Sequence, residues 1–250
     1  MRHADETSTA ERPIAIVTGA AGGIGAAVVR RLLASGHCVV AVDIDGDRLG
    51  TTCGAGTPVL HPLRVDLADR DAIDAAADDV ATALGLPTVL VHCAGIFART
   101  PALVASDAVS RILSVNLESA VHCTRAFGSQ MARRGGGRIV HVASIAAVAG
   151  AATASVYAAS KAGLVALTRS HARELAAHNI AVNAVLPGFT RTAMTAGESA
   201  TLDAFVVPRI PLRRLAEPDE IAEVVTMLAT CSTPYLTGAA VECDGGLHVG

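Results

Sequence analysis

Apolar residues fall along the chain in two alternating rhythms. Short runs rich in Val, Ile and Leu occur at IAIVTG (14–19), HCVVAVD (37–43), LHPLRVD (60–66), TVLVHCAG (88–95), GRIVHVAS (137–144) and IAVNAVLPG (180–188). They are apolar at nearly consecutive positions, the pattern of strands buried on both faces of a sheet. Between them lie Ala-rich stretches that read as helices over about 23–35, 69–84, 107–133 and 155–178, with a last helix from Pro218 to Thr230 and a last strand near 239–243. Regular alternation of strand and helix predicts an α/β fold, a parallel sheet with helices on both faces. No linker rich in Pro, Gly or Ser divides the chain, so one domain is expected over 13–250, behind a flexible tail of 1–12. The stretch 189–210 breaks the rhythm; it carries Gly197 and Pro208 without a strong period and reads as a long loop placed as a lid.

Composition narrows the function classes. The chain has 250 residues, 51% of them hydrophobic, and a formal charge of −3 with scattered arginines. That is enough apolar material for a large core and no basic surface for nucleic acid. The six cysteines (Cys38, Cys53, Cys93, Cys123, Cys231, Cys243) show neither a CxxC pair nor metal-ligand spacing, so they read as small hydrophobes and no metal site is expected. MRHADETSTAERP has no apolar core of a secretory signal, and no apolar run approaches the roughly 18 residues that span a bilayer. A cytoplasmic protein without a membrane partner is expected.

The first strand ends in TGAAGGIG (Thr18 to Gly25), directly before the first helix. Glycines there let the backbone approach a pyrophosphate, and the helix start offers unpaired N–H groups. The second strand ends at Asp43, where a carboxylate accepts hydrogen bonds from adenosine ribose hydroxyls and repels a 2′-phosphate; Ala20, Ala21 and Gly22 add no basic group. NAD (NADH) is therefore expected over NADP. Asp66, ending the third strand, is read equally well as a partner of the adenine edge or as the start of a turn.

Ser144 ends the fifth strand, and Tyr157 and Lys161 open the next helix, four apart and so on one helix face. These features gather at the carboxyl edge of a parallel sheet, beside the glycine loop. A Tyr/Lys pair alone is commonly packing with a solvated amine. Joined to Ser144 and a nucleotide loop, it makes a proton-transfer set for hydride chemistry: Tyr157 as general acid/base, Lys161 as the ammonium that lowers the phenol's pKa, Ser144 as a hydrogen bond to the substrate oxygen.

From Pro13 onward the chain resembles the short-chain dehydrogenase/reductase family. TGxxxGxG is matched by Thr18, Gly19, Gly23 and Gly25, YxxxK by Tyr157 and Lys161, and the family serine by Ser144. The resemblance implies a Rossmann-type doubly wound sheet of about seven strands. It implies that Asn116 in SVNLES holds a proton-relay water and that Lys161 also bonds the nicotinamide ribose. It places Pro187, Gly188, Thr190 and Thr192 of PGFTRT at the nicotinamide, and adds Ile24, Leu67, Cys93, Ala94 and Gly95, with Asp43 and Asp66, to the cofactor-contacting set. IPLRRLAEPDEIA and LTGAAVECDGG match the family's C-terminal signature, which implies a homotetramer and a structural role for Asp244, Gly245 and Gly246. The chain departs from the family's NNAG with HCAG (His92 to Gly95); Cys93 cannot supply an asparagine's hydrogen bonds between strands, and His92 reads as a packed histidine.

Three functions are compatible with these residues. The first is an NAD-dependent oxidoreductase acting on a secondary alcohol or ketone. The second is a 3-oxoacyl-acyl carrier protein reductase using NADPH, with Arg133, Arg134 and Arg173 facing an acidic carrier. The third is a non-catalytic NAD(H)-binding protein, which would need no such catalytic set. The expected pocket wall, IAAVAGAA (145–152) with Ile96, Phe97, Met194, Phe205 and Val206, is small and apolar and suits a moderately hydrophobic substrate, cyclic or not. Arg99 or Arg191 is available in sequence for a substrate carboxylate.

Overall fold

Consecutive side chains of a strand point to opposite faces, so a run that is apolar throughout can serve two cores at once. A computed structural model, describing residues 12–52, 58–197 and 202–248, shows this division. Its strands are β1 (Ile14–Thr18), β2 (Cys38–Asp43), β3 (Leu60–Arg64), β4 (Val89–His92), β5 (Gly137–Val142), β6 (Ile180–Pro187) and β7 (Ala240–Cys243). They form one parallel sheet in the order β3-β2-β1-β4-β5-β6-β7. Ala15, Val17, Val39, Ala41 and Val91 face α1 (Gly23–Ala34) and the last helix, Pro218–Thr230, through Val28, Leu32, Val225 and Leu228. Ile14, Ile16, Val40 and Leu90 face the other way, onto α3 (Arg70–Ala83) and the helix Ser119–Arg134, through Ile73, Val80, Phe127 and Met131.

The structure is a single-domain α/β fold with helices on both faces. One of the expected doubly buried strands, β3, is an edge instead, and the last strand, β7, forms the other edge. β3 alternates half-buried and exposed positions and carries Pro62, which edge strands tolerate because the missing N–H need not join a ladder; β7 is likewise half-buried. The strand order reverses between β1 and β4, and ligands of open α/β sheets bind at such a switch point, outside the carboxyl ends of the strands.

Several short elements have no counterpart in the sequence pattern. α2 (Gly46–Thr52) follows β2, started by Asp45, whose carboxylate accepts the Arg48 N–H at 3.0 Å. The long helix expected over 107–133 is α4 (Ala108–Leu113), a π-helical turn (Ser114–Glu118) and α5 (Ser119–Arg134), closed by Gly135 at φ 100°. α6 (Ala146–Ala149) precedes α7 (Ser155–Leu175), which ends in a 3-10 turn at Ala176–His178. The expected loop 189–210 holds α8 (Ala193–Ala196), a π turn (Leu202–Val206) and a 3-10 turn (Val207–Arg209). Leu202, Ile210 and Leu215 give it a small core of its own against Phe189 and Leu247. α9 (Pro218–Thr230) starts with a capping box between Glu217 and Glu220.

No helix among the described residues is long and apolar enough to cross a membrane. Cys38 and Cys123 are buried, Cys93, Cys231 and Cys243 half-buried, and all five are free thiols; Cys53 and nearly all of the expected N-terminal tail lie outside the described residues.

Candidate active site

At the glycine loop the backbone takes the space that side chains would occupy. Gly19 turns at φ 65°, and a Cβ there would stand 2.7 Å from the Ala94 nitrogen; a Cβ on Gly25 would meet the Gly19 carbonyl oxygen at 2.1 Å. Gly22 caps α1 without a side-chain hydrogen bond, so the first-turn N–H groups are left to an anion or to water. Asp43 is half-buried and oriented by two backbone donors: Oδ2 accepts the Ala21 N–H at 3.0 Å and Oδ1 the Asp45 N–H at 3.1 Å. The loop and the carboxylate are thus tied together as one cradle. Its backbone donors and its carboxylate fit the pyrophosphate and the ribose hydroxyls of a dinucleotide. A cavity of about 810 Å³ adjoins the loop, lined by Ala21, Gly22, Gly23, Arg48, Arg191, Thr192 and their neighbours. Ile24 packs partly buried against the core behind the loop.

Asp66 is committed on one side. Its Oδ1 accepts the Ala68 N–H at 2.9 Å, and both oxygens accept Arg111 Nη2 at 3.2 Å. Arg111, a residue that spacing in the sequence did not single out, thus occupies part of this carboxylate. Leu67 is buried in the core cluster that contains Ile73 and Phe127.

The catalytic candidates converge across the switch point. Ser144 lies just past β5, and its hydroxyl hydrogen-bonds the Tyr157 phenol. Lys161 is buried; its Nζ donates to the Val142 carbonyl at 2.9 Å and sits 5.9 Å from the centre of the Tyr157 ring. Gly95 lies close against this pair: a Cβ there would stand 3.1 Å from Lys161 Nζ and 3.5 Å from Asn116 Oδ1. Asn116 is placed by the π turn, a distortion that often marks functional positions. Its amide donates to the Ile96 carbonyl and to the Ser160 hydroxyl, each at 3.0 Å, while its oxygen accepts the Ile96 N–H at 2.8 Å. Phe97 adds a T-shaped ring contact to Tyr157, 5.2 Å between centroids.

The electrostatics correct one expectation. Burial raises the pKa of the Tyr157 phenol, and the Ser144 hydrogen bond opposes this; the phenol is not lowered as a nearby ammonium alone would require. The physical reason is that desolvation penalises every charged form here, so the Lys161 ammonium is itself brought down to about 8.

Below this group lies a polar network with no counterpart in the sequence reading. Thr18 Oγ1 accepts the Ala94 N–H at 3.2 Å and bonds His92 Nδ1 at 3.0 Å; Ser119 Oγ bonds His92 Nε2 at 3.2 Å and donates to the Val115 carbonyl at 2.6 Å. With Ser119 already donating, the network assigns the His92 proton to Nε2 and leaves Nδ1 to accept from Thr18. His92, rather than the residue at 93, therefore ties β1 to β4, which answers the loss expected from HCAG. Cys93 packs partly on the core, and burial pushes its thiol up to about 12. His141, paired with His92 across the sheet, gives its Nδ1 proton to Thr168 at 2.9 Å, because Thr168 donates to Leu164; its Nε2 is buried without a hydrogen-bond partner among the described residues. Burial lowers the pKa of His92 well below the usual imidazole value and brings that of His141 down to about 3.

The far wall follows β6. A Cβ on Gly188 would meet Asp244 Cα at 2.7 Å, and Asp244 accepts the Gly246 and His248 N–H groups, so the C-terminal segment buttresses the Pro187–Gly188 turn. Thr190 donates to the Gly188 carbonyl at 3.1 Å, and Thr192 caps α8, with its methyl 3.0 Å from where a Gly23 Cβ would be. Arg133, Arg134 and Arg173 sit near the ends of α5 and α7, which lead into the starts of β5 and β6. That is the sheet edge opposite Tyr157. Among the described residues no cluster of three or more His, Cys, Asp or Glu is placed to hold a metal ion.

The model of a family described as enoyl-(acyl carrier protein) reductase matches residues 19–248. A cis-4-hydroxycyclohexanecarboxylate dehydrogenase of Sinomonas cyclohexanicum is 39% identical over 242 residues, covering 95% of this chain and 96% of that protein. The 3-oxoacyl-acyl-carrier-protein reductase FabG of Thermotoga maritima is 36% identical over 244 residues, covering 96% and 99%. Among solved structures, that of gox2181 superposes with a TM-score of 0.91 at 30% identity, covering 96% of each chain.

Proposed function

Because the chain belongs to the short-chain dehydrogenase/reductase family, and so to a family of oxidoreductases that bind a nicotinamide cofactor, we propose that it uses NAD to interconvert a secondary alcohol and its ketone. The observation that carries this reading is the convergence of Ser144 with Tyr157 and of Lys161 and Asn116 on Gly95, next to Ala94, whose backbone closes on Gly19 of the glycine loop. Bound NAD supplies the hydride acceptor. Ser144 holds the substrate oxygen; in reduction the Tyr157 phenol gives its proton to the ketone oxygen, and in oxidation its phenolate, formed by losing that proton to solvent, takes the hydroxyl proton. Lys161 steadies the phenolate once formed, and with a pKa of about 8 it is mostly charged at neutral pH. Asn116 keeps Ile96 and Ser160 in register, and so keeps the wall beside Lys161 in place.

Asp43 supports NAD over NADP, since its carboxylate, held by Ala21, faces the ribose position with a charge that opposes a 2′-phosphate. The placement of Arg133, Arg134 and Arg173 at the opposite edge speaks against an acidic carrier docking through them. A small apolar wall and a relative named for a cyclic hydroxy acid support a ring-sized alcohol. Exposed Met227, Tyr235 and Leu236 near the C-terminus support assembly into a homotetramer.

Incubation with NAD and a panel of cyclic secondary alcohols, followed by NADH absorbance, tests the reaction. Titration with NADH and NADPH tests the cofactor: NADH is expected to bind at least about tenfold tighter, and Asp43→Asn to narrow the gap. Tighter NADPH binding by the native chain contradicts the role of Asp43.

A further inference from the structure

The helix that carries Tyr157 and Lys161 does not cap itself. An α-helix leaves its first N–H groups without internal partners, and a side-chain oxygen on the residue before the first turn commonly takes one of them. At α7 that residue is Ala154, which is buried and offers only a methyl group. The acceptor comes instead from Thr100, a buried residue of another loop, whose hydroxyl oxygen accepts the Val156 N–H at 3.1 Å across 56 positions of chain. Two further hydrogen bonds hold Thr100 in place. Its N–H donates to the Thr153 carbonyl at 2.7 Å and its carbonyl accepts the Ser155 hydroxyl at 3.0 Å, as part of a parallel bridge between Thr100 and Ala154. At this junction Thr153 stands at φ 63°, a conformation that is strained for a β-branched residue and persists only where its surroundings over-determine it. Thr100 supplies one restraint, and Arg99 another, its Nη1 donating to the Thr153 hydroxyl at 2.8 Å.

Tyr157 follows Val156 directly, in the first turn of α7. A cap that belongs to a different loop makes the placement of this turn depend on that loop. The same loop touches the phenol ring through Phe97 and is tied at its start to Asn116 through Ile96. We propose that Thr100 is a positioning residue for the reaction: by capping α7 in place of Ala154, it sets where the Tyr157 phenol stands relative to Ser144 and the substrate oxygen. Proton transfer needs the phenol within hydrogen-bond reach of that oxygen, and a displacement of about 1 Å costs up to about 100-fold in rate. A cap that served stability alone would lower the melting point and leave kcat of the folded protein unchanged. This rests on the dehydrogenase reading above and adds to it a residue outside the sequence motifs.

The test uses Thr100→Val, which keeps the shape and removes the acceptor, and Thr100→Ser, which keeps the acceptor. With NAD and the most active alcohol of the cyclic panel, Thr100→Val is expected to lower kcat by about tenfold or more, with KM and NADH affinity nearly unchanged. Thr100→Ser should retain most of the native kcat. An unchanged kcat in folded Thr100→Val, or an equal loss in both variants, overturns the proposal. Should Thr100→Val fail to fold, Ser155→Ala, at an exposed helix position, removes a second tie; a smaller loss in kcat supports the proposal and an unchanged kcat refutes it. A spectroscopic reading separates this proposal from the dehydrogenase reading. The chain has two tyrosines and no tryptophan, and Tyr235 is 96% exposed. In a Tyr235→Phe background the tyrosine band of the near-ultraviolet circular dichroism therefore reports Tyr157 alone. Thr100→Val should weaken that band and Thr100→Ser keep it, with far-ultraviolet spectra alike. If no alcohol is oxidised, the dehydrogenase reading fails by itself, and an unchanged band in Thr100→Val then refutes the role of Thr100.

Discussion

At the glycine-loop end of the crevice, the chain makes its site by leaving side chains out; at the Tyr157 end it makes one by burying polar side chains. Gly19 and Gly25 let two backbone segments close to distances that any Cβ would block, and the functional groups are main-chain N–H donors and one carboxylate. Around Tyr157, by contrast, Lys161, Asn116, Ser160, His92 and His141 are all buried, and each is held by at least one hydrogen bond from or to another group. The difference teaches where function and stability trade. A main-chain cradle has no titratable cost, whereas a buried ammonium and neutral imidazoles make the Tyr157 end sensitive to pH.

The sharpest way to break the comparison is at the phenol. Tyr157→Phe should cut turnover by about 10³-fold or more, with NADH binding, measured by fluorescence titration, nearly intact, because the cradle is built elsewhere. Retained turnover would remove Tyr157 from the chemistry. Gly25→Ala should do the reverse in kind: its Cβ meets the fixed Gly19 carbonyl, so an unfolding loss of about 3 kcal/mol and a loss of NADH affinity should appear together in denaturant melts and titrations.

Acid gives the finer test. His141 titrates near 3 in the folded chain against an ordinary 6.5, so between these values the unfolded chain binds protons that the folded one refuses. Stability is therefore expected to fall as pH drops from about 6.5 toward 3, by up to about 1.4 kcal/mol per pH unit for each such imidazole. His92 is shifted the same way, and the less buried His171 and His37 also have lowered values. His141→Asn, which keeps a donor for Thr168, should reduce the slope by one proton, read from chemical melts over this range. An unchanged slope would place the acid sensitivity elsewhere.

Much of the site was legible because its signals are local. TGAAGGIG is contiguous, and Tyr157 and Lys161 meet because a helix returns to the same face after four residues. The Thr18–His92–Ser119 tie was not legible: its members come from β1, β4 and the start of α5, and nothing local marks the histidine as the partner of both hydroxyls. The π turn under Asn116 was hidden for a related reason, since one widened turn leaves the helical period of 107–133 almost unchanged.

The sequence by itself determined the alternation of strands and helices, the sheet edge at which the motifs gather, and the identity of the groups available there, because periodicity and motif spacing act within a few turns of chain. Only the tertiary structure decided which strands are edges, that Arg111 binds Asp66, that Arg99 is tied to Thr153, and that the phenol's pKa rises rather than falls. Those outcomes depend on burial and on contacts between residues distant in sequence, and desolvation exists only once the chain has closed around the group.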